Sequence, residues 1–248
     1  MSATKREGSA RSDRAAGQAE ALRNAAITKQ VIGWANENLR DFPWRRRTSG
    51  YEVLLAEMIL RRTTASAAIH VYERVLRMYP SPRALANARL PELQSILRRV
   101  GYQHQRARQF KETAAEIVNS FGGDVPLEPD HLMSIPHVGP YTVGAILSLS
   151  ARQPATMVDS NVERVLSRVF ADSDFKRRVP SHREITEYAQ DLLPRRGFRE
   201  FNLGLIDLGA LVCRPRNPKC PSCPLLSYCD TGHRRAKARR NQFPRGKS

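Results

Sequence analysis

Residues 132–168 read LMSIPHVGPYTVGAILSLSARQPATMVDSNVERVLSR, and they constrain the fold more than any other stretch. A helix ends near Ser134, a tight turn runs through Pro136-His137-Val138-Gly139-Pro140, and a second helix follows. Gly139 is expected to supply a positive φ, and Pro140 suits the first turn of a helix, where its missing N–H costs little. Asp159 then precedes Val162, Val165, Leu166 and Val169, which recur at i, i+3, i+4 and i+7, the apolar stripe of one helix face. The pattern is a hairpin between helices with an acid opening the next helix. Taken alone it also fits an ordinary helix–turn–helix corner.

The four cysteines, Cys213, Cys220, Cys223 and Cys229, fall together in the spacing C-x6-C-x2-C-x5-C. A disulfide framework does not suit a chain of this size with no other cysteine. Four thiolates so close together call for a soft metal, and the spacing by itself admits either zinc or an iron–sulfur cluster.

At 248 residues and 41% hydrophobic composition, the chain can bury one large core or two smaller ones. The apolar run over 143–151 is too short to span a bilayer, so no membrane segment is expected. The N-terminus lacks the apolar core of a secretory signal, and the expected compartment is the cytoplasm, at the nucleoid. The net charge of +17 is concentrated at the ends. Residues 1–50 carry ten Lys and Arg against five Asp and Glu, and residues 213–248 carry ten against one. Such ends behave as solvated arms, and they attract a polyanion without reading its sequence.

Helical patterns account for the rest, and the chain reads as all-α. Residues 1–21 are polar, small and charged, which predicts a disordered basic tail. Helices follow over 22–39 and 51–63, and Trp44 between them reads as a core aromatic. Further helices are expected over 67–78, after a Ser81 cap, over 90–100, and from Arg106 to about Phe121. Ser181 and Glu184 form a capping-box pair ahead of Ile185, Tyr188, Ala189 and Leu192. Residues 231–248 read as a mobile basic tail.

The order of these motifs resembles the helix-hairpin-helix base-excision DNA glycosylases, the family of endonuclease III, the MutY-type adenine glycosylases and the thymine–guanine mismatch glycosylases. Ile135-Pro136-His137-Val138-Gly139-Pro140-Tyr141-Thr142 is similar to the family hairpin L-P-G-V-G-x-x-T, departing from it at His137. Gly101-Tyr102-Gln103-His104-Gln105-Arg106-Ala107 resembles the family's G-Y-x-x-x-R-A turn, and the cysteine spacing resembles its C-terminal [4Fe–4S] loop. Phe201-Asn202-Leu203 and Asp207-Leu208-Gly209-Ala210 resemble the MutY branch. The resemblance implies two helical domains with a DNA-binding cleft between them. Residues 22–50 plus 156–230 would form the iron–sulfur cluster domain. Residues 51–155 would form a helical barrel carrying the hairpin. The implied partner is double-stranded DNA containing a mismatched or damaged base, bound by a monomer.

The resemblance also implies roles. The backbone of His137, Val138, Gly139 and Tyr141 would hold a DNA phosphate. Asp159, which needs no function to serve as a helix cap, would be the carboxylate facing the sugar. Glu57, a charge within the apolar run Val53–Ile59, is either solvated or partnered in a pocket by its sequence alone; the resemblance makes it a proton donor to the leaving base. Arg61-Arg62-Thr63-Thr64 departs from the glutamine usual in endonuclease III and MutY and looks more like the thymine–guanine branch. Arg62 would fill the gap left by a flipped base, while Arg61 is either a phosphate contact or solvated. Tyr141 stands where the bifunctional lyases have lysine. A phenol forms no Schiff base, so base removal without strand cleavage is expected. The expected activity is therefore a monofunctional DNA glycosylase acting on thymine or uracil opposite guanine. A short adenine glycosylase without the 8-oxoguanine-reading domain is the second expectation. A DNA-binding iron–sulfur protein that has lost catalysis is the third.

Overall fold

The computed structural model describes residues 3–46, 49–172 and 178–242, with side chains between 17 and 238 of those ranges. In chain order the helices are α1 (Ala3–Asn38), α2 (Gly50–Leu60), α3 (Ala65–Met78), α4 (Pro82–Ala86), α5 (Leu90–Leu97), α6 (Gln103–Phe121), α7 (Pro129–Ser134), α8 (Pro140–Leu149), α9 (Ser160–Val169), α10 (His182–Leu192), α11 (Phe198–Leu211) and α12 (Asp230–Gln242). No strand occurs among the described residues, and no helix there is long and apolar enough to cross a membrane.

Local chemistry sets many of the helix starts. The side chains of Ser49, Thr64 and Ser81 each accept a hydrogen bond from a first-turn N–H of the helix they precede. Ser181 and Glu184 form the full reciprocal capping box at the head of α10. Both ends differ from the expectation of disordered tails. α1 runs back to Ala3 through alanine, arginine and glutamate, all good helix formers, and α12 covers most of the basic C-terminal segment. Residues 1–2 and 243–248 of those tails lie outside the described residues.

The chain divides into two compact units. Unit I comprises 1–39 and 158–248, and unit II comprises 40–157. The first crossing therefore falls before the Pro43–Arg45 turn rather than at residue 50, because that turn and Trp44 pack with α2 and α3. In unit I, α1 and α9 both pack on α11, burying Ile27, Val31, Val165, Leu166, Phe201 and Leu208. In unit II, α6 lies against α4 and α5, and α2 lies against α3 and α8. Its core includes Leu54, Ile59, Tyr72, Leu97, Phe110 and Ile146.

Two glycines allow backbone approaches that any side chain would block. A Cβ on Gly144 in α8 would stand 1.9 Å from the carbonyl oxygen of Thr156, so the backbone at Thr156–Met157 passes directly against that helix. A Cβ on Gly209 in α11 would stand 2.6 Å from Cβ of Asn161 at the head of α9. The first approach carries the chain out of unit II, and the second seats the start of α9 in unit I.

Gly144→Ala is expected to destabilise the protein by about 1–3 kcal/mol or more, since the neighbour that must move is backbone. Chemical denaturation checks this. An unchanged midpoint would mean that the Thr156 segment yields freely.

Candidate active site

In unit II the candidate residues lie on α2, at the turn that follows it and in the hairpin. Glu57 lies on α2 and is buried. α2 ends at Arg61, and Arg62 takes a left-handed backbone with φ 52°. The side chain of Arg62 is exposed. Arg61 points elsewhere, and its guanidinium donates to the carbonyl oxygen of His137 in the hairpin. Burial holds the Arg61 guanidinium below its usual pKa, opposed by the Glu57 carboxylate nearby. Arg61 is thus half-buried and turned towards the hairpin, and Arg62 is the exposed arginine of the pair.

The hairpin between α7 and α8 corrects one expectation. Gly139 has φ −120° and ψ 175°, an extended conformation open to any residue. The positive φ, 65°, falls on His137. The turn closes through Val138 N–H donating to Ile135 O at 3.1 Å, which places the left-handed corner two residues before Gly139. The surroundings hold His137 there. Its Nε2 lies 2.6 Å from Glu112 Oε2 of α6, and the Thr113 hydroxyl donates to Pro136 O at 2.8 Å. A Cβ at Gly139 would meet nothing within 4 Å, so the backbone at the head of α8 is open to a ligand. The first-turn amides of any helix lack intrahelical partners, and α8 begins here with Pro140 and Tyr141.

In unit I, Asp159 is the N-cap of α9. Its Oδ1 accepts from the backbone N–H of Asn161 and of Val162, each at 2.9 Å. Its Oδ2 accepts from Asn161 Nδ2 at 2.7 Å. Asn161 Oδ1 in turn accepts from Arg164 at 2.8 Å, and Arg164 also donates to Gly209 O and Cys213 O, each at 2.8 Å. The carboxylate is held at the positive end of a helix in a fixed orientation.

The four cysteines line one small pocket together with Arg168 and Leu226. Arg168 donates to Cys213 Sγ at 3.4 Å, and the Gly232 N–H donates to Cys229 Sγ at 3.3 Å. Burial pushes the Cys223 thiol up to about 11, and the other three thiols act in the same direction. A cation in the pocket would reverse that, because coordination removes the thiol proton. Four sulfurs around one pocket, with donors aimed at two of them, suit a metal group held by thiolates.

Glu57, Arg61, Arg62 and residues 137–141 therefore belong to unit II, while Asp159 and the cysteines belong to unit I. Sequence reasoning missed four residues. Asn161 and Arg164 hold Asp159, and an amide two residues after a capping acid was the available signal. Tyr102 is 60% exposed with φ 53°, and Arg106 is 6% exposed beneath it. The G-Y-x-x-x-R-A match pointed to both without giving either a task.

A family model described as HhH-GPD superfamily base excision DNA repair protein matches residues 55–195. A thymine/uracil-DNA glycosylase of Pyrobaculum aerophilum is 37% identical over 200 residues, covering 79% of this chain and 87% of its own. An adenine DNA glycosylase of Rattus norvegicus is 34% identical over 229 residues, covering 88% of this chain but 44% of its own. The solved structure of a thermostable thymine-DNA glycosylase superposes with a TM-score of 0.81 at 32% identity, covering 86% of this chain and 98% of that one.

The His137 geometry sets two substitutions against each other. A left-handed backbone costs a residue with a Cβ about 1–2 kcal/mol, and the chain entropy of glycine offsets about 0.5–1 kcal/mol of the relief. His137→Gly relieves the strain but also loses the Glu112 contact, so it is expected to leave stability within about 1 kcal/mol of wild type. His137→Ala keeps the strain, loses the Glu112 contact and lowers stability. Equal effects in denaturation would show that the hairpin corner is unstrained.

Proposed function

Since this chain belongs to the HhH-GPD superfamily of base excision DNA repair proteins, we propose that it is a monofunctional DNA glycosylase that hydrolyses thymine or uracil from pairs with guanine in duplex DNA. The observation that carries the reading is the Asp159 carboxylate, immobilised by three hydrogen bonds at the head of α9. The similarity to thymine and uracil glycosylases over most of the chain supports the choice of base.

Breaking an N-glycosidic bond leaves an oxocarbenium-like sugar, so fixed negative charge beside C1′ lowers the barrier. Asp159 supplies that charge and orients the attacking water. Because its oxygens are already held, little reorganisation is needed as the sugar becomes cationic. Glu57 delivers a proton to the departing base. Tyr141 occupies the second position of α8 and forms no imine with the sugar, so the product is an intact strand with an abasic site. The amides at the head of α8 bind a backbone phosphate. Arg62, at the exposed apex of its turn, enters the space left by the flipped base and bonds to the unpaired guanine. The protein acts as a monomer.

Cys213, Cys220, Cys223 and Cys229 would hold a [4Fe–4S] cluster, with Arg168 and the Gly232 N–H balancing its negative charge. Such a cluster, when bound, ties the 213–229 loop together and adds a one-electron redox centre.

Adenine removal is the second reading, favoured by the 34% identity to an adenine glycosylase. Both are tested with duplexes carrying T, U or A opposite G, and A opposite 8-oxoguanine, each read with and without alkali. Release of T or U, with nicks only after alkali, is the expected result. Asp159→Asn is expected to lower the rate on the order of 10²–10³-fold or more. Release of adenine alone would move the assignment to the second reading, and nicking without alkali would contradict the role given to Tyr141. A broad visible absorption from the purified protein, lost when Cys220 is replaced by serine, is expected for the cluster; a colourless protein carrying zinc would contradict it.

A further inference from the structure

Three non-glycine residues of unit II with left-handed backbones share one network of arginines. They are Arg62, Tyr102 and His137. Arg106, on the first full turn of α6, sits at its centre. Its Nε donates to Gly101 O at 3.0 Å, and one terminal nitrogen donates to Met58 O at 2.9 Å. The other terminal nitrogen donates to Arg61 O. A single buried guanidinium thus grips the residue before Arg62 and the residue before Tyr102. Arg61 extends the grip by donating to the carbonyl of His137 itself. The same α6 holds the far side of the hairpin through Glu112 and Thr113. The fourth such residue of unit II, Arg152, has no described contact with this network.

Helices commonly end on a left-handed glycine, which adopts that corner without strain. Here the corner after α2 is an arginine, and the one before α6 is a tyrosine with its ring exposed. Long side chains on strained backbones persist only where their surroundings over-determine them, and they concentrate at ligand-contacting sites. The guanidinium suits the task because its planar fork can hold several carbonyls in fixed directions, which an ammonium cannot do.

We propose that Arg106 and Arg61 form a relay that fixes the spacing of three projecting turns, two of them the turns given to DNA above, making Arg106 a positioning residue for lesion recognition rather than a DNA contact. The inference rests on the glycosylase reading. It assigns Arg61 to the relay instead of to DNA. It also makes the 62 turn, which enters the helix stack, and the hairpin, which anchors the phosphate, move as one body.

The test uses the full chain with Arg106→Lys, Arg62→Ala and the double variant. The readouts are single-turnover excision from a G·T duplex, affinity for undamaged duplex, and the unfolding midpoint. Arg106→Lys is expected to slow excision about ten- to hundredfold, the scale of a misplaced recognition element, while affinity for undamaged DNA, to which many phosphate contacts contribute, falls far less. Arg62→Ala is expected to add little further loss in that background, because the turn that aims Arg62 is already released. Losses that multiply, or a loss that merely follows the unfolding midpoint, would overturn the proposal. Should Arg106→Lys fail to fold, Arg61→Met cuts only the link to His137 and leaves the residue-61 carbonyl with Arg106; it is expected to slow excision and to lower exchange protection at residues 137–139, and no change in either would overturn the proposal. Hydrogen exchange needs no substrate and separates the inference from the reading it rests on. In Arg106→Lys, protection is expected to fall together at residues 61–63, 101–103 and 137–139. Loosening of one turn alone overturns the relay, whereas a wild-type protein that excises no base overturns the glycosylase reading and leaves this exchange result to decide the relay.

Discussion

The fixing of the Asp159 carboxylate is the constraint on which the account of unit I depends. Both oxygens are occupied, by two backbone N–H groups and one amide at the head of α9. That head is seated where α11 offers a glycine, so that Asn161 lies directly on its backbone. Asn161 is in turn oriented by Arg164, whose guanidinium also grips the carbonyls of Gly209 and Cys213. The cysteine segment is therefore built onto the same helix that carries the acid. Arg168 of the same helix adds donors to the carbonyls of Arg214 and Pro215, so two arginines of α9 hold the start of that loop.

Unit II solves a different problem. Turns that meet a ligand must project side chains and keep their amides open, yet remain rigid. Glycine corners would be unstrained but would project nothing. This chain places Arg62, Tyr102 and His137 at left-handed corners and holds them from behind with the buried Arg106, the half-buried Arg61 and α6. Burial of two cations side by side depresses both guanidinium pKa values, and the charge is tolerated because so many carbonyls face it.

Features encoded by neighbouring residues were legible in the sequence. The caps at Ser81, Ser181 and Asp159, the apolar stripe of α9 and the all-helical class follow from spacing and short-range hydrogen bonding. The family resemblance, carried by the hairpin, the G-Y-x-x-x-R-A turn and the cysteines, agrees with the superfamily match over residues 55–195. Features set by long-range contact were not legible. Nothing near Arg106 in sequence says that it reaches α2, and nothing near Arg61 says that it turns inward to residue 137. The positive φ was assigned to Gly139 because glycine is its usual bearer, whereas contacts from Glu112, Thr113 and Arg61 support it at His137. The length of α1 was missed because its N-terminal half has the polar composition of a disordered arm, yet its residues are also good helix formers.

The most direct measurement of the central claim is binding of a duplex that carries a cationic pyrrolidine in place of the target sugar, opposite guanine and, separately, opposite adenine. The ring nitrogen mimics the charge that the proposed mechanism has Asp159 stabilise. A transition-state mimic is expected to bind at least about 10²-fold tighter than the uncharged abasic analogue. The preference should be for guanine as the opposite base, and the advantage should collapse in Asp159→Asn. Equal affinity for charged and neutral analogues, or an advantage that survives loss of the Asp159 carboxylate, would contradict the account.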